Sequence, residues 1–246
     1  MSHDLRLGVF GKGRLGQAIA TRAGEQLAWQ VTRGSPPTAV DVAIEASSGD
    51  AVAARIAWAL ATNTPLVIGS TGWQLPDLRE QIGRRIGVVL APNFSLGVAL
   101  LRRLSLVLAR FCALDPTRDP YLVEHHQQRK HDAPSGTAKL LAATLLDGCP
   151  RKTSWSLGGP LRADELSVGV IRAGSTYSEH RVGMDAPAEV IELVHTARSA
   201  SAFADGAMAA AAWIHGRKGV FTMEDIAASV LDPLFAGLGQ TTGGNS

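Results

Sequence analysis

A glycine-rich turn near the start of the chain is the feature that most constrains its fold. The apolar run over residues 5–10 predicts a β-strand, and residues 17–27 have helical composition. Between them, six residues match the pattern GxGxxG: Gly11, Lys12, Gly13, Arg14, Leu15 and Gly16. In a dinucleotide-binding βαβ unit, the first glycine permits the tight turn and the second lets a pyrophosphate approach the backbone. The third lets helix and strand pack closely, so the turn predicts dinucleotide binding, with a plain glycine turn as the alternative.

The residues that would meet the adenosine end of such a ligand are less typical. NAD sites usually carry Asp or Glu about 20 residues after the glycines, whereas arginine there suits a 2′-phosphate. Arg33 occupies this region and no acid does, which favours NADP; a solvated loop arginine is the alternative. The connection from Arg33 to Val40 is short, so one crossover helix is expected to be missing.

Alternating strands and helices through the first 95 residues predict a Rossmann-like, doubly wound parallel sheet of the α/β class. Further strands are predicted at 29–32, 40–46, 65–68 and 87–90, and helices at 51–61 and 76–86. In the second half, helices are predicted at 98–113, 138–146, 203–215 and 222–231, and strands at 153–156, 166–172, 177–182 and 188–197. The second group predicts an additional α+β domain with an open, mixed or mostly antiparallel sheet.

Composition excludes several classes of protein. Hydrophobic residues make up 46% and charged residues 19% of the chain, as in globular proteins. The net charge of +2 provides no field for nucleic acid or an anionic membrane. No apolar run of about 18 residues predicts a membrane span, and the N-terminus has no secretory signal. The two cysteines lack metal-binding spacing, which fits a reducing cytoplasm.

Residues 124–138 hold a dense group of ionisable side chains. They are predicted to form a polar loop that leads into a helix. It holds three of the seven histidines together with acidic and basic side chains. Histidine can donate a proton near neutrality, and Lys130 offers a positive charge for a carboxylate or a developing anion. Ser135, Gly136 and Thr137 precede an Ala/Leu-rich helix whose N–H groups suit a carboxylate. A metal is not expected, because His125 and His126 are adjacent and cannot easily share one ion; a solvated loop with a capped helix is the alternative.

This segment resembles the signature of the dihydrodipicolinate reductase family, E-x-H-x-x-x-K-x-D-x-x-S-G-T-A. The matching residues are Glu124, His126, Lys130, Asp132, Ser135, Gly136, Thr137 and Ala138. The resemblance covers nearly the whole chain. Other similar segments are residues 11–16, 69–72, 93–97, 171–174, 179–180 and 203–207.

The resemblance implies an NAD(P)H-dependent reductase of lysine and diaminopimelate biosynthesis, which reduces the small cyclic dicarboxylate 4-hydroxy-tetrahydrodipicolinate to tetrahydrodipicolinate. It implies a dinucleotide domain (1–96 and 203–246) and a substrate-binding, oligomerising domain (97–202), usually in a homotetramer. The residues implied around the nicotinamide are Gly69, Ser70, Thr71, Ala91, Asn93 and Phe94. His126 would be the general acid and Lys130 a second proton donor or substrate anchor. Ser135, Gly136, Thr137 and Gln127 would bind substrate carboxylates.

Some positions depart from the family pattern. Tyr121 stands where many relatives have glutamate, and Gln127 where many have a second histidine. Structural roles are favoured over functional ones for Arg172, His180 and His195. Two other functions remain open: a related imine or keto-acid reductase or amino-acid dehydrogenase of the same architecture, and a non-catalytic NADP-binding regulatory protein.

Overall fold

The structure is a computed structural model of the 246-residue chain, described here for residues 5–32, 38–159 and 161–236. The chain divides into two compact units, Met1–Phe94 with Phe203–Ser246, and Ser95–Ala202. The strands are β1 Leu7–Phe10, β2 Leu27–Val31, β3 Val42–Glu45, β4 Leu66–Ile68, β5 Gly87–Leu90, β6 Asp119–His126, β7 Ser154–Leu157, β8 Glu165–Arg172, β9 Ser178–Ala186, β10 Glu189–Ala197 and β11 Gly219–Thr222. The α-helices are α1 Arg14–Ala23, α2 Val52–Thr62, α3 Leu78–Ile82, α4 Leu96–Ala113, α5 Gly136–Gly148, α6 Ser201–Ile214 and α7 Met223–Phe235.

The first unit is built on a six-stranded sheet in the order β11-β5-β4-β3-β1-β2, and every pairing in it is parallel. Strands β1, β3 and β4 are buried along their whole length, as expected for a parallel sheet covered on both faces. The predicted Rossmann-like sheet is confirmed. Strand β11, which completes it beside β5, was not predicted.

The strand order changes direction at β1, which has β2 on one side and β3 on the other. In doubly wound sheets, ligands bind in the crevice at the carboxyl ends of the strands at such a switch point. Both the glycine turn after β1 and the loop after β3 lie at this edge. Arg33, the residue expected to distinguish the cofactors, lies outside the described residues.

The second unit contains a five-stranded mixed sheet in the order β10-β9-β6-β8-β7. Strand β9 pairs antiparallel with β6 and β10, whereas β8 pairs parallel with β6 and β7. The expectation of a mixed sheet is confirmed, but the sheet is not mostly antiparallel. The reason is that β6, whose last three residues were predicted as part of a loop, forms the central strand and pairs parallel with β8.

Helices α4 and α5 cover one face of this second sheet. Their apolar side chains form a single buried core with the inward side chains of the sheet, among them Leu122, Val168 and Val182. Ser95 caps α4 by accepting a hydrogen bond from the Val98 amide over 3.1 Å. Within the described part of the chain, no helix combines the length and the apolar character needed to cross a membrane.

Candidate active site

The glycine turn of the first unit has a geometry that only glycine satisfies. Gly11 has φ +111°, and a Cβ there would lie 2.5 Å from the Ala46 carbonyl oxygen. A Cβ on Gly16 would lie 2.4 Å from the Gly11 oxygen. At Gly13, by contrast, a Cβ would meet no atom within 4 Å. Open space therefore lies beside the backbone at the start of α1.

The start of α1 has the features of an anion site. Among the described residues, no side chain caps the first turn of α1 through a hydrogen bond, and Gly13 stands at its N-cap. Lys12 and Arg14 are exposed, whereas Leu15 is half-buried. Helix N-terminal amides and nearby positive charge favour a phosphate at this position.

The ends of β3, β4 and β5 bring together most of the remaining residues expected to contact a cofactor. Gly69 donates its amide to the Glu45 carbonyl over 2.8 Å, and its missing Cβ leaves room for the Phe94 ring, which would otherwise be 2.3 Å away. Ala91 donates to the Ile68 carbonyl over 2.9 Å. Ser70 is half-buried, and Thr71 is exposed at the same edge.

A buried acid at this edge was not predicted. The Glu45 side chain is fully buried at the end of β3 and pairs with Arg55 of α2, whose Nε lies 3.5 Å from Oε2. Its Oε1 accepts hydrogen bonds from Ser47 and from Ser70. The only sequence signal was a charge ending an apolar strand, with a basic residue on the next helix.

In the second unit, sheet register assembles a cluster of four ionisable side chains from three strands. Antiparallel pairing of β6 with β9 sets Glu124 opposite His180. Parallel pairing of β6 with β8 sets His126 opposite Arg172. Because side chains alternate along a strand, Glu124 and His126 share the buried face, whereas His125 is directed to the other face and contacts the Ala173 carbonyl at 3.0 Å.

Glu124 is the centre of this cluster and is fully buried. Its Oε1 accepts from Arg172 Nη2 at 2.6 Å and from the Ser135 amide at 2.9 Å. Its Oε2 lies 3.5 Å from His126 Nδ1 and 3.6 Å from His180 Nε2. Burial alone would raise the pKa of Glu124, but the polar groups of His180, Ser135 and Arg172 hold it well below its usual range.

His126 is only 5% exposed, and this burial controls its charge. The pKa of His126 is lowered from 6.5 to about 4, chiefly by desolvation; Glu124 opposes this effect, and the charges of His180, Lys130 and Arg172 add to it. The imidazole is therefore neutral at pH 7 before any ligand binds. A neutral imidazole with this pKa carries no acidic proton to transfer near neutrality.

The start of α5 lies directly beside the cluster. Ser135 accepts a hydrogen bond from the Ala138 amide over 3.1 Å, and its hydroxyl lies 3.3 Å from His180 Nε2. Gly136, the first helical residue, is exposed, and a Cβ there would meet no atom within 4 Å. Thr137 is half-buried beside it. Glu124 thus fixes the helix start by accepting the Ser135 amide, whereas the space beside Gly136 is open, as a carboxylate site requires.

Lys130 lies in the turn between β6 and α5. Its ammonium donates to Asp132 Oδ1 over 2.7 Å, and its backbone amide donates to the Gln127 carbonyl over 3.1 Å. The predicted loop is therefore shorter than expected, because Glu124, His125 and His126 belong to β6. Polar side chains on the buried face of this strand concealed its alternation.

Structural roles were predicted for Arg172 and His180, but the structure places both side chains in the cluster around Glu124. His195 is not in contact with Glu124; it lies against Gly97, where a Cβ would be 2.8 Å from its Nε2. Donor atoms of Glu124, His126 and His180 lie within 4.8 Å of one another, close enough to share an ion. However, Arg172 already neutralises the carboxylate, and a divalent cation beside this guanidinium would be repelled. We assign no metal to the cluster.

Together these features define a class of protein: a dinucleotide-fold unit with a glycine turn, joined to a mixed-sheet unit that holds a buried acid–base cluster. Two models of one family match the chain. The model for the N-terminus of dihydrodipicolinate reductase matches residues 34–94, and that for its C-terminus matches residues 97–227. The chain belongs to the dihydrodipicolinate reductase family.

Similar proteins cover most of the chain. The 4-hydroxy-tetrahydrodipicolinate reductase of Myxococcus xanthus is 34% identical over 245 residues, covering 92% of this chain and 89% of its own. That of Akkermansia muciniphila is 36% identical over 200 residues, covering 76% and 79%. A dipicolinate-bound dihydrodipicolinate reductase from Paenisporosarcina sp. TG-14 superposes with a TM-score of 0.68 at 17% identity, covering 89% of this chain and 97% of its own. This last likeness concerns the fold.

Proposed function

We propose that the protein reduces 4-hydroxy-tetrahydrodipicolinate to tetrahydrodipicolinate in lysine and diaminopimelate biosynthesis. The observation that carries the proposal is the cluster around Glu124, which fixes His126 and the start of α5 through one buried carboxylate. Membership of the family and the similarity to proteins named for this activity support the same reaction.

The first unit is proposed to hold NADPH or NADH. Gly11, Gly13 and Gly16 leave room for the pyrophosphate at the start of α1, with Lys12 and Arg14 nearby. The nicotinamide would lie at the carboxyl ends of the strands, flanked by Gly69, Ser70, Thr71, Ala91, Asn93 and Phe94. When bound, the reduced cofactor supplies the hydride that adds to the conjugated, imine-containing ring of the substrate.

The second unit is proposed to hold the substrate. The backbone amides of Gly136 and Thr137 and the hydroxyls of Ser135 and Thr137 would bind one carboxylate at the positive end of α5. Gln127 and His126 would contact the substrate from the end of β6. Because Arg172 and Glu124 neutralise each other, the groups left to attract a dianionic ligand are the start of α5 and the Lys130 ammonium, which also pairs with Asp132.

We propose that Lys130 donates the proton and that neutral His126 positions the substrate. Loss of the substrate's 4-hydroxyl as water gives the conjugated ring. Hydride addition to that ring then places negative charge on the neighbouring ring carbon, and that carbon must take up one proton. His126, with its pKa lowered to about 4, does not carry a transferable proton at pH 7 in the ligand-free protein. The Lys130 ammonium, held by Asp132, offers one at its Nζ.

Two other functions remain alternatives. A related imine or keto-acid reductase, or an amino-acid dehydrogenase, would share the glycine turn but not require the segment from Lys130 to Thr137. A non-catalytic NADP-binding regulatory protein would not require His126 or Lys130. The buried cluster beside an open helix start favours the first proposal, because nucleotide binding alone does not require a buried imidazole 3.5 Å from an ionised carboxylate.

The decisive experiment generates the unstable substrate enzymatically and follows oxidation of NADPH and NADH, each at the same concentration. We expect oxidation that depends on the substrate. A folded protein that binds the cofactor but oxidises neither would rule the reductase out. Equal rates with both cofactors would show dual use and remove Arg33 as a discriminator.

We also propose that the protein is a cytoplasmic homotetramer. One face of the second sheet is covered by α4 and α5, whereas the other exposes apolar side chains, including Val190 at 57% and Val194 at 50%. Exposed apolar side chains on a sheet face favour association with a second copy of the chain. Cys112 and Cys149 are both free thiols, which supports a reducing compartment.

A further inference from the structure

Glu45 is the one fully buried acid of the first unit's described residues, and the proposed reaction does not use it. It ends β3, beside the switch point of the sheet, and its carboxylate faces two loops that lead away from neighbouring strands. Its Oε2 is paired with Arg55, whose guanidinium also lies over the Phe10 ring at 4.2 Å from the centroid. Arg55 therefore fixes one oxygen of the carboxylate, and packing against Phe10 fixes Arg55.

The other carboxylate oxygen, Oε1, receives three hydrogen bonds. The Ser47 amide donates over 2.6 Å, the Ser47 hydroxyl also donates, and the Ser70 hydroxyl donates over 3.0 Å. A carboxylate has no proton to give, so both hydroxyls must direct their hydrogens inward to Glu45. Each serine oxygen then presents only lone pairs to a ligand.

We propose that Glu45 is a positioning residue that makes Ser47 and Ser70 hydrogen-bond acceptors for the nicotinamide nucleoside half of the cofactor. The inference rests on the proposed function, which places this half of the cofactor at the ends of β4 and β5, and β3 pairs directly with β4. The groups that such acceptors recognise are donors: the carboxamide NH₂ and the ribose hydroxyls. Without Glu45, the serine hydroxyls rotate freely and no longer favour a donor.

The location of the two serines supports this role. Ser47 follows β3 next to the glycine turn, where the Ala46 carbonyl closely approaches Gly11. Ser70 follows β4 and is half-buried at the same edge of the sheet. One carboxylate thus fixes the hydroxyl direction in two neighbouring loops, although Ser70 is 25 positions from Glu45 in the chain.

The test measures binding rather than turnover. NADPH and NADH are titrated by the fluorescence of the reduced nicotinamide and by calorimetry. ADP and its 2′-phosphate, which end at the pyrophosphate, are titrated by calorimetry alone. We expect Glu45→Gln to weaken binding of NADPH or NADH about tenfold, because an amide carries donors as well as an acceptor and no longer forces both serine hydroxyls to point inward. The fragments should keep their affinity within about twofold.

Variants of Ser70 distinguish a positioning role of Glu45 from a role in folding. Ser70→Ala should weaken the whole cofactor about three- to tenfold and leave the fragments unchanged, and Ser70→Thr, which keeps the hydroxyl, should restore binding. Ser48→Ala, an exposed serine next to Ser47, is the matched control and should have no effect. These variants give an answer even if Glu45→Gln does not fold.

Two results would overturn the inference. The first is equal weakening of cofactor and fragments by Glu45→Gln, which marks a structural role; the second is unchanged cofactor binding in Ser70→Ala. A wild-type protein that binds neither NADPH nor NADH would overturn the proposed function itself. Fragment binding by that same protein would show that the glycine turn works and only the nicotinamide assignment fails.

Discussion

The guanidinium of Arg172 donates to the buried carboxylate of Glu124 over 2.6 Å, joining β8 to the central strand of the second sheet. The same carboxylate oxygen accepts the Ser135 amide. Arg172 therefore neutralises the one acid that holds both His126 and the start of α5 in place. Four predictions follow from the contacts of this second unit.

Removing the arginine should destabilise the protein strongly. Arg172→Met leaves the Glu124 carboxylate buried and without its cation, an effect of about 3 kcal/mol in the free energy of unfolding. Urea denaturation at pH 7 measures it. Arg162→Met is the control, because Arg162 and its partner Asp164 are both exposed and such pairs contribute little. Equal stability of the two variants would contradict the assignment.

The pH dependence of stability should report His126. Its pKa in the folded protein is lowered to about 4 from 6.5, so the unfolded chain binds the proton more readily. Stability is therefore fully present above about pH 6.5 and is lost as the pH falls toward 4. Denaturation of the wild type and of His126→Gln at pH 7 and pH 5 should show the smaller loss in the variant. A loss of the same size in both would mean that His126 titrates normally.

Replacing the lysine should separate chemistry from cofactor binding. Lys130→Ala should lower kcat by at least about 100-fold, because it removes the proposed proton donor, and should leave NADPH or NADH affinity unchanged. Steady-state rates with the enzymatically generated substrate and fluorescence titration measure the two quantities. Lys139→Ala, an exposed lysine on α5, controls for the loss of charge. Unaltered turnover in Lys130→Ala would remove Lys130 from the mechanism.

The exposed sheet face should control assembly. Leu193 packs against the core beneath the sheet, so Val194, the next residue on β10, is directed to the opposite face. Val194→Glu should dissociate the proposed tetramer, because it places a charge in an apolar contact. Analytical ultracentrifugation compares it with Val230→Glu, an exposed valine of α7 in the first unit. A wild type that sediments as a monomer would contradict the proposal outright.

The sequence predicted elements best where apolar residues follow a simple period. Strands β1, β3, β4 and β5 are short apolar runs, and the glycine turn follows the first of them. Strand β6 was missed because its buried face carries Leu122, Glu124 and His126, so that polar residues stand where alternation requires apolar ones. Only the register of the folded sheet explains why those residues are buried.

The candidate site was predictable only where its residues are close in the chain. His126, Lys130 and Ser135 lie within one segment, whereas Arg172 and His180 reach Glu124 across 48 and 56 positions through pairing with β8 and β9. Glu45 gave still less signal, because a charged residue at a strand end is usually exposed. Its burial depends on Arg55 and on two serines from different loops.

The pairing of β11 with β5 affects how the protein is made. Residues 219–222 must leave the ribosome before the edge of the first sheet can close on residues 87–90. All strands of the second sheet, by contrast, are complete by residue 197. Domains fold as units during synthesis, so the second unit can reach its folded state while the first still lacks an edge strand. For a nascent chain, the order of assembly is therefore the reverse of the order in which the two units begin.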